Sequence, residues 1–335
     1  MEQVIFQNNT YPMGWGEEGD PPAHKLIKER AIKFDLLNLG FFSEPTYNDV
    51  PENSMETLCR SKFQFDEGWC FHISEQLLYG EPLVHSQGNI GSCVGAGGGL
   101  ALAAKASQEI LNEGDPEEPY GYSEQAMPFT GFHYGAGRCK NLWDGSKFKG
   151  SRSGGDGSYC SAQIWAYKTV GILPCNFVKN SRPFPQSSDV RDWGNNKNNL
   201  LNNHLTDAAK FKMDTSINVT DVDSAKNVIC NLKQPCHICS NWGFAPRGFD
   251  TKYQIMVYKR EGSWAHNMTL YGIFAIKGAW FVIVKNSWGP RAHEPIGLGF
   301  PLGCFVIPIE LFAKWIKQAE CASIGELNLK LSHAQ

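Results

Sequence analysis

Residue types that can act together on a carbonyl carbon occur at Gln87, Cys93, His266 and Asn286. The stretch "SQGNIGSCVGAGGGLALAAKASQEIL" runs from Ser86 to Leu111 and places Cys93 where a polar turn enters an apolar, glycine-spotted helical pattern. At a helix N-terminus the unpaired N–H groups and the macrodipole favour a negative sulfur, so a lowered thiol pKa is expected. Gln87, upstream of it in the turn, can fold its amide beside the thiol and, with the Cys93 N–H, form a two-donor oxyanion hole. "SWAHNMTLYGI" puts His266 at the start of an apolar strand pattern, and "VIVKNSWG" puts Asn286 at the end of the next one. Their separation fits a strand, a turn and a returning strand. An asparagine there accepts from one ring nitrogen and leaves the other facing sulfur, and Trp288 can shield that bond from water.

The elements that must hold these residues can be read around them. A helix is expected from Cys93 to about Asn112, although Gly95, Gly97, Gly98 and Gly99 each cost it roughly 1 kcal/mol relative to alanine. Further helices are expected at His24–Leu39, Tyr122–Met127, Ser158–Val170 and Ser224–Leu232. From Asp207 onward strand patterns dominate: "AKFKMDTSINV", "QPCHICSNW", "YQIMVYKR", "HNMTLYGIFAI", "AWFVIVKNSW" and "GCFVIPIELF". Helices first and antiparallel strands after them predict an α+β protein with two lobes.

In the order Cys, His, Asn, the motifs "QGNIGSC", "HNM" and "KNSWG" resemble those of the papain-like cysteine peptidases. "YSEQ" and "GGDGSYCSAQIWAYKTVGILP" are similar to that family's segments between nucleophile and barrel, and the likeness runs from Glu81 to Phe312. It implies a papain-like two-lobe fold, a helical lobe whose central helix packs on an antiparallel β-barrel-like lobe. It implies Cys93 as nucleophile, His266 as its partner and general acid/base, Asn286 as orienter and Gln87 as oxyanion donor. Gly154, Gly155 and Gly157 would form the cleft wall that binds substrate backbone, with Trp288 beside the site. Departures are Val94 for the aromatic after the nucleophile, Ile90 for a cysteine that elsewhere forms a disulfide, and Asn267 for a small residue after the histidine. After "KNSWG" the chain reads "PRAHEPIGLGF" in place of a glycine-aromatic continuation.

The domain reading is an aromatic-rich N-terminal extension at 1–80 and a catalytic domain at 81–335, with a helical lobe at 81–190 and a β lobe at 207–335. The extension lacks the spaced Glu, Arg, Phe and Asn pattern of the family's propeptide helix, so it is expected to be integral. Phe41, Phe42, Phe63, Phe65, Trp69 and Phe71 should pack on the body, on a protein partner or in a homo-oligomer. The formal net charge of -3, without a Lys/Arg cluster, argues against a nucleic-acid surface. Neither a secretory signal nor a membrane-length apolar run is visible, which predicts no membrane association and a cytoplasmic site or a larger particle such as a virion. An odd count of eleven cysteines suits free thiols, in keeping with a reducing compartment.

"CHIC", Cys236 to Cys239, is read as part of a strand, where residues three apart point to opposite faces, and no second CxxC follows. The histidines at 24, 72, 85, 133, 204, 237, 293 and 333 lack chelating spacing and are read as surface or core residues. No metal and no cofactor are expected. The function expected is a thiol endopeptidase acting on polypeptide. Two alternatives keep the motifs: an amidase or acyl transferase using the same pair, and a papain-like structural subunit of a larger assembly such as a virus particle.

Overall fold

The computed structural model describes residues 65–79, 82–113, 128–178 and 187–327. The helices expected at His24–Leu39 and Tyr122–Met127, and Phe41, Phe42 and Phe63, lie outside these residues. One part of the described structure is an eight-stranded sheet made of β1 (Glu67–Cys70), β2 (Cys236–Ser240), β3 (Phe244–Asp250), β4 (Ile255–Arg260), β5 (His266–Ile276), β6 (Ala279–Lys285), β7 (Cys304–Pro308) and β8 (Glu320–Ser323). The order is β3-β4-β7-β6-β5-β2-β8, with β1 also paired to β5. Its ends, β3 and β8, do not meet. The expected barrel-like lobe is therefore an open mixed sheet, antiparallel except where β4 pairs with β7.

β5 is the spine of this sheet. Every residue of "HNMTLYGIFAI" is buried, as a strand covered on both faces requires. Lys277 and Gly278 both have positive φ, +50° and +76°, and make the two-residue turn that sends the chain back as β6. Ile276 pairs with Ala279 across that turn, and the register continues to Thr269 opposite Lys285. The start of β5 and the end of β6 therefore lie side by side, which brings His266 and Asn286 to one end of the sheet.

The other part is helical: α1 (His72–Tyr79), α2 (Cys93–Glu113), α3 (Thr130–Arg138), α4 (Cys160–Thr169) and α5 (Ser187–Gly194). α2 runs between the lobes and packs on β5 and β2 as well as on α1, α3 and α4. Its glycines answer to close neighbours. A Cβ on Gly95 would lie 2.5 Å from Tyr134 Cβ, and one on Gly97 would strike the Asn267 side chain. The helix propensity given up there is exchanged for backbone approach. Phe129, Phe132, Trp193 and Leu201 centre a core within the helical lobe, while Ala101, Leu102 and Ala104 of α2 join the core of the sheet.

Several elements differ from the sequence reading. "TGFHYGAGR" forms α3, an element the sequence reading did not name; all nine residues are buried, and Gly135 abuts the Trp193 backbone. "AKFKMDTSINV" is not a strand, but touches the C-terminal segment through isolated bridges at Met213–Leu327 and Asn218–Ala322. "GCFVIPIELF" divides at Pro308, where β7 ends and α7 (Ile309–Trp315, numbered after α6, Val222–Lys226) begins. α6 is capped by Asp221 and Ser224 and passes into a π turn at Asn227–Asn231. β1 and α1 pack into the body, with Trp69, Phe71 and Phe65 buried, so the packed unit starts upstream of the boundary read at 80. Cys160 of α4 and Cys239 of β2 form a disulfide between the lobes, which corrects the expectation of free thiols throughout. Among the described residues no helix is long and apolar enough to cross a membrane.

Candidate active site

Cys93 is the first residue of α2, half-buried at its N-terminus. Asn267, the residue after His266, hydrogen-bonds the Cys93 sulfur through its backbone N–H. The helix start and the β5 start therefore meet at the thiol. The N–H groups of Asn267, Val94 and Cys93 itself favour the thiolate, but burial outweighs them and pushes the Cys93 thiol above its ordinary value. The expected lowering is overturned, because the sulfur is enclosed where the lobes close on it.

His266 is 6% exposed and Asn286 only 1%. His266 Nε2 lies 2.7 Å from Asn286 Oδ1. Burial holds His266 below the ordinary imidazole value, and the Asn286 hydrogen bond only partly opposes this. Burial thus acts on both groups in the direction of their neutral forms. Trp288 lies over the ring, with centroids 4.5 Å apart and planes 29° apart, while remaining 38% exposed itself. Trp264 packs against it, with centroids 4.8 Å apart.

Gln87 is brought to the same place by a short antiparallel contact. Its N–H donates to Ser287 O at 2.8 Å, Ser86 bridges Trp288, and Gly289 N–H donates to His85 O at 2.8 Å. The Gln87 amide is already committed in part: Nε2 donates to Ile90 O at 3.0 Å, and Oε1 accepts from Ser287 Oγ at 2.5 Å. The structure therefore places Gln87 at the turn before Cys93, with its amide drawn toward Ile90.

Gly154, Gly155 and Gly157 have φ of +72°, +50° and +103°, and a Cβ on any of them would meet open space. Backbone conformation, more than crowding, selects glycine at these positions. The loop lies beside the turn that carries Cys93, since Gly91 N–H reaches Asp156 Oδ2 at 3.5 Å. Gly157 N–H is occupied by Tyr134 Oη at 3.1 Å, and Gly154 O accepts from Arg138, so those two groups serve the loop.

A residue the sequence did not connect to the site is His293. Its Nε2 lies 2.9 Å from Asn286 Nδ2, and its ring packs against Tyr258 and Phe305. Nothing in its spacing marks it, because the segment around it departs from the family pattern. A cavity of about 430 Å³ opens next to these residues, lined in part by Pro246, Trp264, Trp288, Arg291 and His293. Among the described residues, Cys160, Cys239 and Glu320 gather atoms of metal-ligating type, but the two sulfurs are joined to each other. "CHIC" divides as its strand requires: Cys239 faces Cys160, whereas Cys236 contacts Cys321.

No protein-family model matches the chain, and no curated protein is similar to it by sequence. Solved structures that it resembles include cysteine proteases. They include xylellain from Xylella fastidiosa, at 15% identity over 79% of this chain and 88% of that one, with a TM-score of 0.48. They also include the bromelain protease from Ananas comosus, at 12% identity over 78% and 100%, with a TM-score of 0.43. Digestive procathepsin L 3 of Tenebrio molitor aligns at 13% identity over 92% and 93%, with a TM-score of 0.40.

Proposed function

We propose that this chain is a papain-like thiol hydrolase that cleaves peptide bonds within polypeptides. One observation carries the reading: His266 Nε2 is tied to Asn286 Oδ1 beneath Trp288, on the strand whose next N–H touches the Cys93 sulfur. The Cys93 proton passes to His266 Nδ1 as sulfur bonds to the carbonyl carbon, and the oxygen takes up the negative charge. His266 then gives that proton to the leaving amine, and the C–N bond breaks to leave a thioester. Water, deprotonated by His266, hydrolyses the thioester and returns the thiol. The N–H groups at the start of α2 supply donors for the oxyanion, and Gln87 joins them only if its amide turns away from Ile90. The Gly154–Gly157 loop forms the facing wall for the substrate backbone.

Burial that favours the neutral thiol and imidazole, together with the committed Gln87 amide, favours one competing reading, a body that keeps this fold without catalysis. A peptide-library digest with wild-type and Cys93→Ala protein, read by mass spectrometry, separates the two. Cleavage by wild type alone supports the hydrolase. Absence of cleavage, together with no labelling of Cys93 by an epoxide-type thiol-protease inhibitor, supports the inert subunit. Acyl transfer to an added amine in place of hydrolysis would assign the transferase alternative.

A further inference from the structure

Asn286 lies between two histidines. Its Oδ1 is 2.7 Å from His266 Nε2 and 2.7 Å from Ser287 N, and its Nδ2 is 2.9 Å from His293 Nε2. These contacts constrain one another. Ser287 N–H can only donate, so the atom facing it must be the amide oxygen. The atom facing His293 is then the amide nitrogen, which also can only donate, so His293 Nε2 must be an unprotonated acceptor. At the other end, the oxygen requires His266 to carry its proton on Nε2, leaving Nδ1 with a lone pair to receive the thiol proton. Resting on the hydrolase reading above, we propose that His293 is a positioning residue: by accepting from Asn286 Nδ2 it locks the amide orientation that fixes the tautomer of His266.

The surroundings suit this task. His293 is buried, with Tyr258 and Phe305 rings 5.4 and 4.8 Å from its own, and Trp288 stacks above at 6.4 Å. The titratable and charged groups around it are His266 across Asn286, Tyr258 on β4, and its chain neighbours Arg291 and Glu294. The Tyr258 hydroxyl is engaged by Glu294 N–H at 2.8 Å, and the Arg291 and Glu294 side chains are exposed. Burial first, and His266 second, hold His293 down to about 4. It therefore stays an acceptor throughout the neutral range. Below that value a doubly protonated His293 opposes the Asn286 NH₂ donor to donor. Relief needs a flipped amide, which would break the Ser287 contact and turn a donor toward His266. The relay of two histidines through one asparagine is thus an acid-sensitive clamp on the catalytic imidazole.

The test reads tautomers directly, so it does not depend on whether the protein cleaves peptides. In ¹⁵N-histidine-labelled full-length protein at pH 7, NMR should show His293 protonated on Nδ1 only and His266 on Nε2. A proton on His293 Nε2 overturns the proposal. Two variants extend it: His293→Gln keeps an acceptor that does not titrate, and His293→Phe keeps a ring without one. His293→Gln should retain the His266 Nε2–H signal at pH 7. His293→Phe should convert that signal to a mixture of tautomers. An unchanged His266 signal in a folded His293→Phe protein, or its loss in both variants alike, overturns the assignment. Should His293→Phe fail to fold, the wild-type tautomers and the His266 signal of His293→Gln at pH 7 still decide. Failure of peptide cleavage with the tautomers as stated would count against the hydrolase reading alone.

Discussion

Lys285 Nζ lies 2.7 Å from Glu75 Oε2, with both side chains sealed from solvent. Glu75 Oε2 also accepts from Leu83 N–H at 2.8 Å and meets the Tyr271 hydroxyl, to which Lys285 donates at 2.9 Å. This network ties α1, upstream of residue 80, to the residue immediately before Asn286. Removing one partner leaves a buried charge unmatched, so Glu75→Ala should cost about 3–5 kcal/mol in urea unfolding. Glu75→Leu combined with Lys285→Met should restore much of that loss. The same logic predicts that a chain cut between 80 and 81, and stripped of the upstream part, will not refold. Stability unchanged by Glu75→Ala would contradict the network.

The state of the thiol gives a second prediction. Burial raises Cys93 and lowers His266, so iodoacetamide labelling of Cys93 should climb as pH rises through and beyond the ordinary thiol range. A rate already at its plateau near pH 5–6 would mean a preformed thiolate–imidazolium pair and would contradict the raised thiol. Cys93 should still label before Cys139, Cys230 and Cys304, whose burial lifts them to about 11, 11 and 12. Asn286→Ala should reduce turnover less than Cys93→Ala, because it releases the orientation of His266 and leaves the nucleophile in place.

Burial of neutral histidines makes the fold acid-sensitive. His85 and His133 are held down to about 3, and His237 and His293 to about 4, all by desolvation. Their folded pKa values lie below the unfolded value near 6.5. Their contribution to stability is thus complete above about pH 6.5 and is lost as pH falls toward 4. Each should contribute a slope of up to about 1.4 kcal/mol per pH unit in that window. Unfolding free energies measured between pH 7 and pH 5 should fall accordingly. Among the described residues His237 has no hydrogen-bond partner for either ring nitrogen, so a folded His237→Leu should flatten the slope by one proton's worth. A flat profile in wild type would rule out neutral burial of these rings.

What could be read from the sequence follows from where local pattern decides structure. α2 and the β5–β6 pair are legible because "CVGAGGGLALAAKASQEIL", "HNMTLYGIFAI" and "FVIVK" carry one periodicity each, and their ends deliver Cys93, His266 and Asn286. α3 is hidden because its glycines are set by tertiary contact, Gly135 with Trp193 of α5 and Gly137 with Gln163 of α4, not by helix propensity. β1 is hidden because "EGWC" is too short to show alternation and owes its pairing to β5. Pro308 shows the reverse case, a visible residue read past: its fixed φ of -63° ends β7 and starts α7. His293 and the Cys160–Cys239 pair are tertiary coincidences, invisible in spacing. The pKa of Cys93 is likewise a property of lobe closure, which outweighs the helix N-terminus that the sequence does reveal.

Cys160 and Cys239 come from different lobes, 79 residues apart in sequence and 6.0 Å apart between Cα atoms. Asn267 links the pair to the site, because its Nδ2 lies 3.1 Å from each of the two sulfurs while its backbone N–H serves Cys93. Closing a loop of this length restricts the unfolded chain by about 4 kcal/mol in the chain-entropy account. Reductant, or Cys160→Ala with Cys239→Ala, should therefore lower unfolding stability by about 2–4 kcal/mol. It should also free the Asn267 side chain and alter the rate at which Cys93 is alkylated, even though neither cysteine touches the nucleophile. The measurements are a non-reducing peptide map, urea melts with and without reductant, and Cys93 labelling on both forms. Eleven titratable thiols in the denatured, unreduced protein would show that the bond does not form. A bond present in the map but without effect on Cys93 labelling would remove Asn267 as the link and leave the disulfide a purely structural tie between the lobes.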